Sequence, residues 1–455
     1  MDRKTNFKRT KTFMKLNVPK QFILIAIFLF VAMASFGQAQ FLFSDSAYRA
    51  AAPNSGRIWG YVFGDYYYKS KADSLNRGGS NQYSGIPQSR NAFQFRRLYL
   101  GYDYNYNSKF SSELLLAAED NFPAYNAPGQ TATNGDQLSN GKETFFIKLA
   151  NVRVKNLWKG TDAVVGLQTT PAFALLSERI WNYRSIERTI ADIRRTPSYD
   201  FGVGLQGHYF KNSFGYNLLV ANGTSDKTAS SSFKWFYGDV WASLANHTII
   251  LDLYADYQRL NWTPTWHHDR SMIKGFIAYN TAPITIGVEG FINNIRHDTK
   301  ASLIGGGADT IATMANGLSF YAHGDIVPTK LRWFARVDLY NPNSKVNNSL
   351  YTAYAGVSSP SGYMTPGYKY SYAGSTTGAP TGETSTGDPT AKETFLTAGL
   401  DFMPFRDIHF EPNVWYSHYA SQIAATGKEG DADVVWRLTF FFVFGRHYSN
   451  TYNQL

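Results

Sequence analysis

The chain has 455 residues and no cysteine, and 44% of its residues are hydrophobic, 16% aromatic and 17% charged. The lack of cysteine excludes disulfides, a thiolate nucleophile and Cys-ligated zinc or iron–sulfur centres. A mean hydropathy of −0.32 is too polar for a bundle of membrane-spanning helices, yet charge is scarce beside the about 25% of an average soluble domain. The composition therefore favours a protein that presents aromatic rings to something other than water.

Most of the formal net charge of +10 lies in the first 40 residues. Without them the chain has 37 basic and 33 acidic residues, a net +4, so the charge gives no reason to expect nucleic acid as a partner. The chain begins with basic residues, which are followed by the 13-residue apolar run 22–34 and by small residues before a cut after Gly37 or Ala39. This order is typical of a cleaved secretory signal. A membrane anchor is the alternative, but it needs about 20 apolar residues. We expect a signal peptide over residues 1–39 and an exported mature chain over 40–455.

Period-2 alternation continues through most of the mature chain, as at Leu98, Leu100 and Tyr102 against Arg97 and Tyr99. No second long apolar run follows the leader, so any membrane insertion must be by strands. Most of the sixteen candidate strands have the ~9 to 11 residues or more that a tilted strand needs to cross a bilayer. They lie at 57–69, 92–106, 109–120, 143–156, 161–170, 200–210, 213–222, 233–244, 248–258, 270–280, 284–293, 317–326, 330–340, 392–403, 408–419 and 432–444.

The connections between these strands alternate strictly in length. The long ones are 70–91, 121–142, 171–199, 223–232, 259–269, 294–316, 341–391 and 420–431, and the short ones are 107–108, 157–160, 211–212, 245–247, 281–283, 327–329 and 404–407. A soluble secreted β-sandwich gives no reason for such sorting, whereas an outer-membrane barrel has short periplasmic turns and long outer loops. The sequence therefore predicts an all-β fold, a transmembrane antiparallel β-barrel of 16 strands over about 57–444, as one domain with both termini on the periplasmic side.

A barrel of this size can hold an aqueous channel, so the third long connection, 171–199, is of special interest. Its partly helical apolar pattern predicts that it folds into the lumen and anchors on the wall. Arginine rings are used in anion and phosphate pores, which makes the loop arginines candidates for the constriction: Arg179, Arg184, Arg188, Arg194 and Arg195. The alternative is that these arginines pair with Glu178, Glu187, Asp192 and wall carboxylates and simply fix the loop.

The inner wall, taken as the face opposite the apolar one, carries both signs of charge. The predicted wall cations are Arg97, Lys274, Arg332, Arg336 and Arg437. The predicted wall carboxylates are Asp103, Glu113, Glu119, Asp252, Asp256, Glu289, Asp325, Asp338, Asp401 and Glu411. The fourth strand is ambiguous, because Lys148 inside would turn Arg153 to lipid unless a bulge intervenes. This wall is acidic overall, so selectivity depends on where the charges concentrate.

Several segments in order resemble the phosphate-selective porin O and P family of Gram-negative outer membranes. They are 95–101 (FRRLYLG), 165–171 (VGLQTTP), the Ser177-Glu178-Arg179 triplet, 202–207 (GVGLQG) and 220–223 (VANG). The resemblance covers roughly residues 57 to 444 and is strongest from 92 to 225. It implies a sixteen-stranded, usually trimeric porin that passes phosphate or other anions by passive diffusion, with Arg179 and the later loop arginines as anion contacts. The chain departs from that pattern in its acid-rich wall and its lack of an inward ladder of basic residues.

Other classes of function find little support. The chain has no Gly-x-Ser-x-Gly, P-loop or His-Glu-x-x-His motif, and no matched nucleophile can be assigned to His208, His323 or His409, so we predict no catalytic residues and no cofactor. The run 267–269 (HHD) is explained as polar outer loop rather than a metal site, which needs three or four convergent ligands. The expected partners are outer-membrane lipid, small anionic solutes and further copies in a homotrimer. An adhesin or receptor that binds through loop 341–391, and a non-selective porin, remain alternatives.

Overall fold

The computed structural model describes residues 52–73, 83, 86–119, 145–194, 197–227, 229, 232–263, 266–302, 308–345, 357–358, 364–365, 392–419 and 432–445. The predicted signal peptide lies outside the described residues. Within them, sixteen strands form one closed antiparallel barrel, as predicted.

The barrel strands are β1 Ser55–Lys71, β2 Asn91–Asn105, β3 Phe110–Glu119, β4 Phe146–Trp158, β5 Thr161–Thr169, β6 Tyr199–Tyr209, β7 Phe214–Ala221, β8 Trp235–Leu244, β9 Ile249–Thr263, β10 Trp266–Asn280, β11 Ile284–Ser302, β12 Ala308–Val327, β13 Leu331–Asn341, β16 Glu393–Phe405, β17 Ile408–Tyr419 and β18 Ala432–Gly445. Two short strands between β13 and β16, β14 Val357–Ser358 and β15 Met364–Thr365, form a separate two-stranded sheet. Each barrel strand pairs with its neighbour along the chain, β13 pairs with β16, and β1 pairs with β18 to close the ring.

Two helices lie between β5 and β6: α1 Ser177–Trp181 and α2 Ile190–Ile193. Among the described residues there is no helix of sufficient length and apolar character to cross a membrane.

The two faces of each strand differ as the alternation predicts. On β9, Leu251 and Leu253 are exposed on the outside, while Ile250, Asp252 and Tyr254 are buried inside. Leucine, isoleucine, valine and phenylalanine recur on the exposed face around the barrel, including the aromatic row of β18. Polar and charged side chains instead fill the inside, where buried carboxylates and guanidinium groups alternate with aromatic rings. The barrel therefore has an apolar outer surface and a polar, charged interior.

Two bulges turn additional cations inward. On β2 the register shifts opposite Phe63 and Gly64, and Arg96 is the extra residue, so that both Arg96 and Arg97 are buried inside. On β4 the register shifts at Lys148, which leaves room for Lys148 on the inside without turning Arg153 to the outside. The bulge required by the ambiguous fourth strand is therefore present.

Two connections predicted to be long loops are largely strand. β9 and β10 stay paired up to Thr263 and Trp266, within the predicted loop 259–269. β11 and β12 stay paired up to Ser302 and Ala308, within the predicted loop 294–316. Backbone pairing continues past the polar residues because a hairpin needs no buried face to satisfy its own hydrogen bonds. The loop prediction for these two segments was wrong in extent, although the strands that they join were correctly placed.

Candidate functional site

The third long connection folds into the barrel, as predicted. We call residues 170–198 the lumen loop. Trp181 is fully buried, with its ring 5.1 Å from that of Tyr321 and edge-on to Phe334 at 6.5 Å. Phe173 and Ile190 are likewise buried in a cluster formed with the inner faces of β7 to β13. Apolar anchors thus hold the loop against one side of the wall.

Polar contacts attach the loop to the same wall. Ser185 Oγ donates to Glu411 at 3.0 Å, and Trp415 donates through its indole to Glu187 at 2.9 Å. The carbonyl groups of the loop accept hydrogen bonds from wall cations: Arg437 donates to Ile186 O at 3.0 Å and Arg336 to Arg188 O at 2.5 Å. Two of the five predicted wall cations therefore hold the loop in place.

The loop arginines are in different environments. Arg184 is buried and forms ion pairs with Glu178 and, at 3.0 Å, with Asp192. Arg194 is buried, pairs with Glu393 and stacks over the ring of Tyr340 at 4.1 Å.

Two other arginines retain more exposed surface. The Arg188 side chain is 20% exposed and lies 3.7 to 3.8 Å from the carboxylates of Asp192 and Glu187. Arg179 is half-buried and donates from Nε to Ala174 O at 3.1 Å. Arg195 lies outside the described residues.

Burial and neighbouring charges oppose each other at the Arg184 node. Burial raises the pKa of Glu178 above its ordinary value; Asp192 acts in the same sense, and Arg184 and Lys148 act against it. Burial also disfavours the charge on Arg184, but Glu178 and Asp192 outweigh it and raise the pKa of that guanidinium well above its ordinary value. Arg184 is therefore a fixed positive charge, whereas Glu178 is a carboxyl that protonates more easily than usual.

All five predicted wall cations lie on the inner wall with polar partners. Arg97 pairs with Glu119 at 2.7 Å, Arg332 with Asp325 at 2.9 Å and Arg336 with Asp338 at 2.5 Å. Lys274 is completely buried and pairs with Asp252 at 2.7 Å. Arg437 donates to the Asn413 amide oxygen at 2.7 Å. These five cations therefore do not form a ladder of uncompensated positive charges.

The alternation alone missed other inward charges. The further buried inward cations are Lys69, Arg96, Lys148, Lys155 and Arg270, and the further buried carboxylates are Asp65, Asp162, Asp200, Asp239, Glu393 and Asp433. Arg96 and Lys148 could be found only from their bulges. The sequence signals the bulge on β2 through its two consecutive basic residues, Arg96 and Arg97. Two neighbours cannot both face inward on a regular strand.

The loop and the wall opposite it together form a cluster of alternating charge. On the wall, Glu119 pairs with both Arg97 and Lys148. On the loop, Arg184 lies between Glu178 and Asp192. The ammonium of Lys148 is near enough to influence Glu178 across the gap. We call these six residues the constriction cluster; it contains three cations and three carboxylates.

Below this cluster, toward the short turns, the inner wall opposite the loop is less covered. Glu113, Asn151, Arg153 and Gln206 on β3, β4 and β6 are half-buried, whereas most inward residues beside the loop are buried. Arg153 donates to Gln206 at 2.8 Å and pairs with Asp162 at 3.2 Å, with 19% of its side chain exposed. Side chains on this part of the described inner wall are therefore partly exposed.

The histidines occupy varied positions. His323 is buried and contacts Ile180 O at 2.9 Å, and His409 contacts Asp401 at 2.9 Å. His208 faces inward on β6, with its ring 5.6 Å from that of Trp241. The run 267–269 lies in strand β10 and not in a loop, because β10 begins at Trp266. His268 is buried there, so the polar-loop explanation of this run was wrong.

No protein-family model matches the chain, and no curated protein sequence matches it either. Solved structures of outer-membrane proteins do match. The outer membrane channel DcaP of Acinetobacter baumannii is 10% identical, with 87% of this chain and 99% of that chain covered and a TM-score of 0.51. OmpT of Vibrio cholerae is 9% identical, with 87% of this chain and 99% of that chain covered and a TM-score of 0.48. OmpF of Salmonella typhi, in complex with daunomycin, is 8% identical, with 86% of this chain and 98% of that chain covered and a TM-score of 0.47. At these identities the likeness concerns the fold alone: the chain has the closed sixteen-stranded barrel of outer-membrane porins.

Proposed function

We propose that this chain is an outer-membrane porin through which small hydrophilic solutes diffuse passively. The observation that carries the proposal is a sixteen-stranded barrel with an apolar outer face, a charged interior and a loop folded inside. A barrel of this size accommodates an aqueous channel, and the outer face suits the lipid of the outer membrane. Export through the signal peptide 1–39 and assembly as a homotrimer belong to the same proposal.

The solute path runs along β3, β4 and β6, opposite the lumen loop. Solutes pass the constriction cluster and then the partly exposed side chains of Glu113, Asn151, Arg153 and Gln206. This side is favoured because the loop fills the space in front of β7 to β13 with buried apolar side chains. The path is polar along its length, which suits hydrated solutes.

The preferred solutes are small anions such as phosphate. Arg188, Arg179 and Arg153 support this preference, because each is only partly covered, and a guanidinium fork binds phosphate oxygens in a bidentate manner. Arg184 adds a fixed charge behind them. The resemblance to phosphate-selective porins points the same way.

A non-selective porin is the second candidate, and the ion pairs favour it. Arg184 is compensated by two carboxylates, Arg194 by Glu393, and Arg97 with Lys148 by Glu119. A constriction with balanced charges gives little preference for either sign of ion.

Single-channel recording in planar bilayers under a KCl gradient tests the proposal. A porin gives large ohmic steps; an adhesin or receptor gives none. An anion-selective reversal potential and chloride current that phosphate reduces would support anion preference. We expect both effects to collapse when the two partly exposed loop arginines, Arg179 and Arg188, are changed to Ala together. Arg296→Ala is the control, since this exposed arginine lies on β11, outside the lumen loop. A non-selective or cation-selective wild-type pore would refute the phosphate preference and leave the porin proposal standing.

A further inference from the structure

A group of metal-ligand side chains lies at the short-turn end of the barrel, away from the constriction cluster. Asp401 on β16 and His409 and Glu411 on β17 all face inward. Each offers one ligand atom, and these atoms lie within 4.8 Å of one another. Because His409 and Glu411 are two residues apart on one strand and Asp401 lies on the paired strand, the register of β16 and β17 brings the three together.

The contacts within this group leave coordination sites available. The imidazole Nδ1 of His409 is 2.9 Å from Asp401 Oδ1. In the tautomer that carries its proton on Nε2, the lone pair of Nδ1 points to the same side as Asp401 Oδ1, so one cation can contact both atoms. Glu411 is 1% exposed, and its Oε2 has no hydrogen-bond partner. A buried carboxylate oxygen without a donor is costly, and a cation would compensate it.

Side chains of the lumen loop support the same carboxylates from behind. Ser185 Oγ donates to the other oxygen of Glu411 at 3.0 Å. The Tyr183 hydroxyl donates to Asp401 Oδ2 at 3.3 Å. Such outer donors orient metal-binding carboxylates, and their loss typically costs about 10- to 100-fold in affinity.

A cavity of about 300 Å³ opens onto the three residues. Its lining also includes Arg332, Asp325 and Arg406, so both signs of charge face it. A cavity of this volume has room for water molecules that can complete a coordination shell. Three protein ligands with an open position for water are the pattern of zinc sites that are not closed.

We propose that Asp401, His409 and Glu411 form a binding site for a divalent transition-metal ion of the zinc class in the vestibule on the short-turn side of the lumen loop. One imidazole and two carboxylates form a mixed nitrogen and oxygen ligand set, which suits Zn²⁺ and its neighbours better than Ca²⁺ or Mg²⁺. Because Tyr183 and Ser185 connect the ligands to the lumen loop, the bound ion also holds the loop against β16 and β17.

Titration calorimetry with Zn²⁺ on the full barrel in detergent tests the site. We expect about one saturable equivalent in the wild type. His409→Gln and Glu411→Gln are each expected to lower the affinity by at least about tenfold. His418→Gln is the matched control, because His418 lies on the same strand but is exposed on the outside; it should leave the site intact. Co²⁺ in place of Zn²⁺ should give an absorption band that His409→Gln removes.

Absence of saturable binding in the wild type, or equal affinity in the wild type and His409→Gln, would overturn the proposal. Heat-dependent gel mobility shows whether each variant forms the folded barrel. Should Glu411→Gln fail to fold, Ser185→Ala replaces it, since it removes only the donor to Glu411 and is expected to weaken binding by about tenfold or more. Calorimetry in detergent measures metal affinity and does not depend on ion conduction. Its result therefore tests the metal site independently of the porin proposal.

Discussion

Arg184 and Arg188 lie four residues apart in the lumen loop, yet we expect different effects from their loss. Loss of Arg184 should lower the stability of the fold, and loss of Arg188 should change the ion selectivity of the pore. Arg184 is buried and pairs with Asp192 at 3.0 Å as well as with Glu178. Arg184→Met leaves the largely covered carboxylates of Glu178 and Asp192, whose side chains are 13% and 10% exposed, without the buried cation between them. Removal of one partner of a buried pair costs about 3–5 kcal/mol. At about 1.4 kcal/mol per factor of ten, the folded population should fall by more than about a hundredfold relative to the unfolded one.

Arg188 is expected to act through conduction instead. Its contacts to Asp192 and Glu187 are 3.7 to 3.8 Å long, and its side chain is 20% exposed. Such pairs contribute about 0–1 kcal/mol, so Arg188→Met should fold nearly as the wild type does while its pore loses anion preference.

Urea unfolding in lipid vesicles, followed by tryptophan fluorescence, measures the first effect, and the reversal potential under a KCl gradient measures the second. The assignment of roles would be refuted if Arg188→Met were destabilised as strongly as Arg184→Met. It would also be refuted if Arg188→Met left the reversal potential of an anion-selective wild type unchanged.

Three further changes probe the same region. Trp181→Ala should lower the free energy of unfolding by about 3–5 kcal/mol, because its ring is fully buried beside Tyr321; urea unfolding measures this, and a near-neutral result would show that the loop is not anchored there. Glu119→Gln should shift the reversal potential toward anions, because Lys148 loses its carboxylate; an unchanged potential would place the solute path elsewhere. Because burial raises the pKa of Glu178, acidification should protonate it at a higher pH than an ordinary glutamate and strengthen anion preference, and Glu178→Gln should show a flatter pH dependence. The same sign applies to stability: a raised pKa in the folded state stabilises the fold at low pH, and this contribution is lost as the pH rises through the folded-state value.

The barrel could be predicted from the sequence because its main signal is local. Each strand shows which face lies outside the barrel, as Leu251 and Leu253 do on β9, and no knowledge of distant partners is needed. No such signal in the sequence marks how far a strand continues past its alternating segment. Near Thr263 and Ser302 the strands continue through backbone pairing, which leaves no periodic pattern in the sequence. The predicted loops 259–269 and 294–316 were too long for that reason.

The site could be predicted only in part, because its contacts join residues far apart in the sequence. The position of the lumen loop and its content of arginine followed from composition and pattern. The partners did not: Arg194 meets Glu393, and Glu187 meets Trp415, about two hundred residues later. Lys148 also shows the limit of simple alternation, since one bulge decides whether a cation faces the inside or the outside of the barrel.

The ion pairs also explain how a loop rich in arginine can lie inside a narrow barrel at all. A buried guanidinium without a partner is too costly to retain, so the loop carries its own carboxylates, as Arg184 does with Asp192. The wall donates in return to backbone carbonyls of the loop, as Arg336 does to Arg188 O. The arginines that fix the loop and the arginines proposed to meet the solute are therefore different members of one set. Of the loop arginines, Arg179 and Arg188 keep the most exposed surface among the described residues, which is why the proposed anion preference is assigned to them and not to the total charge of the loop.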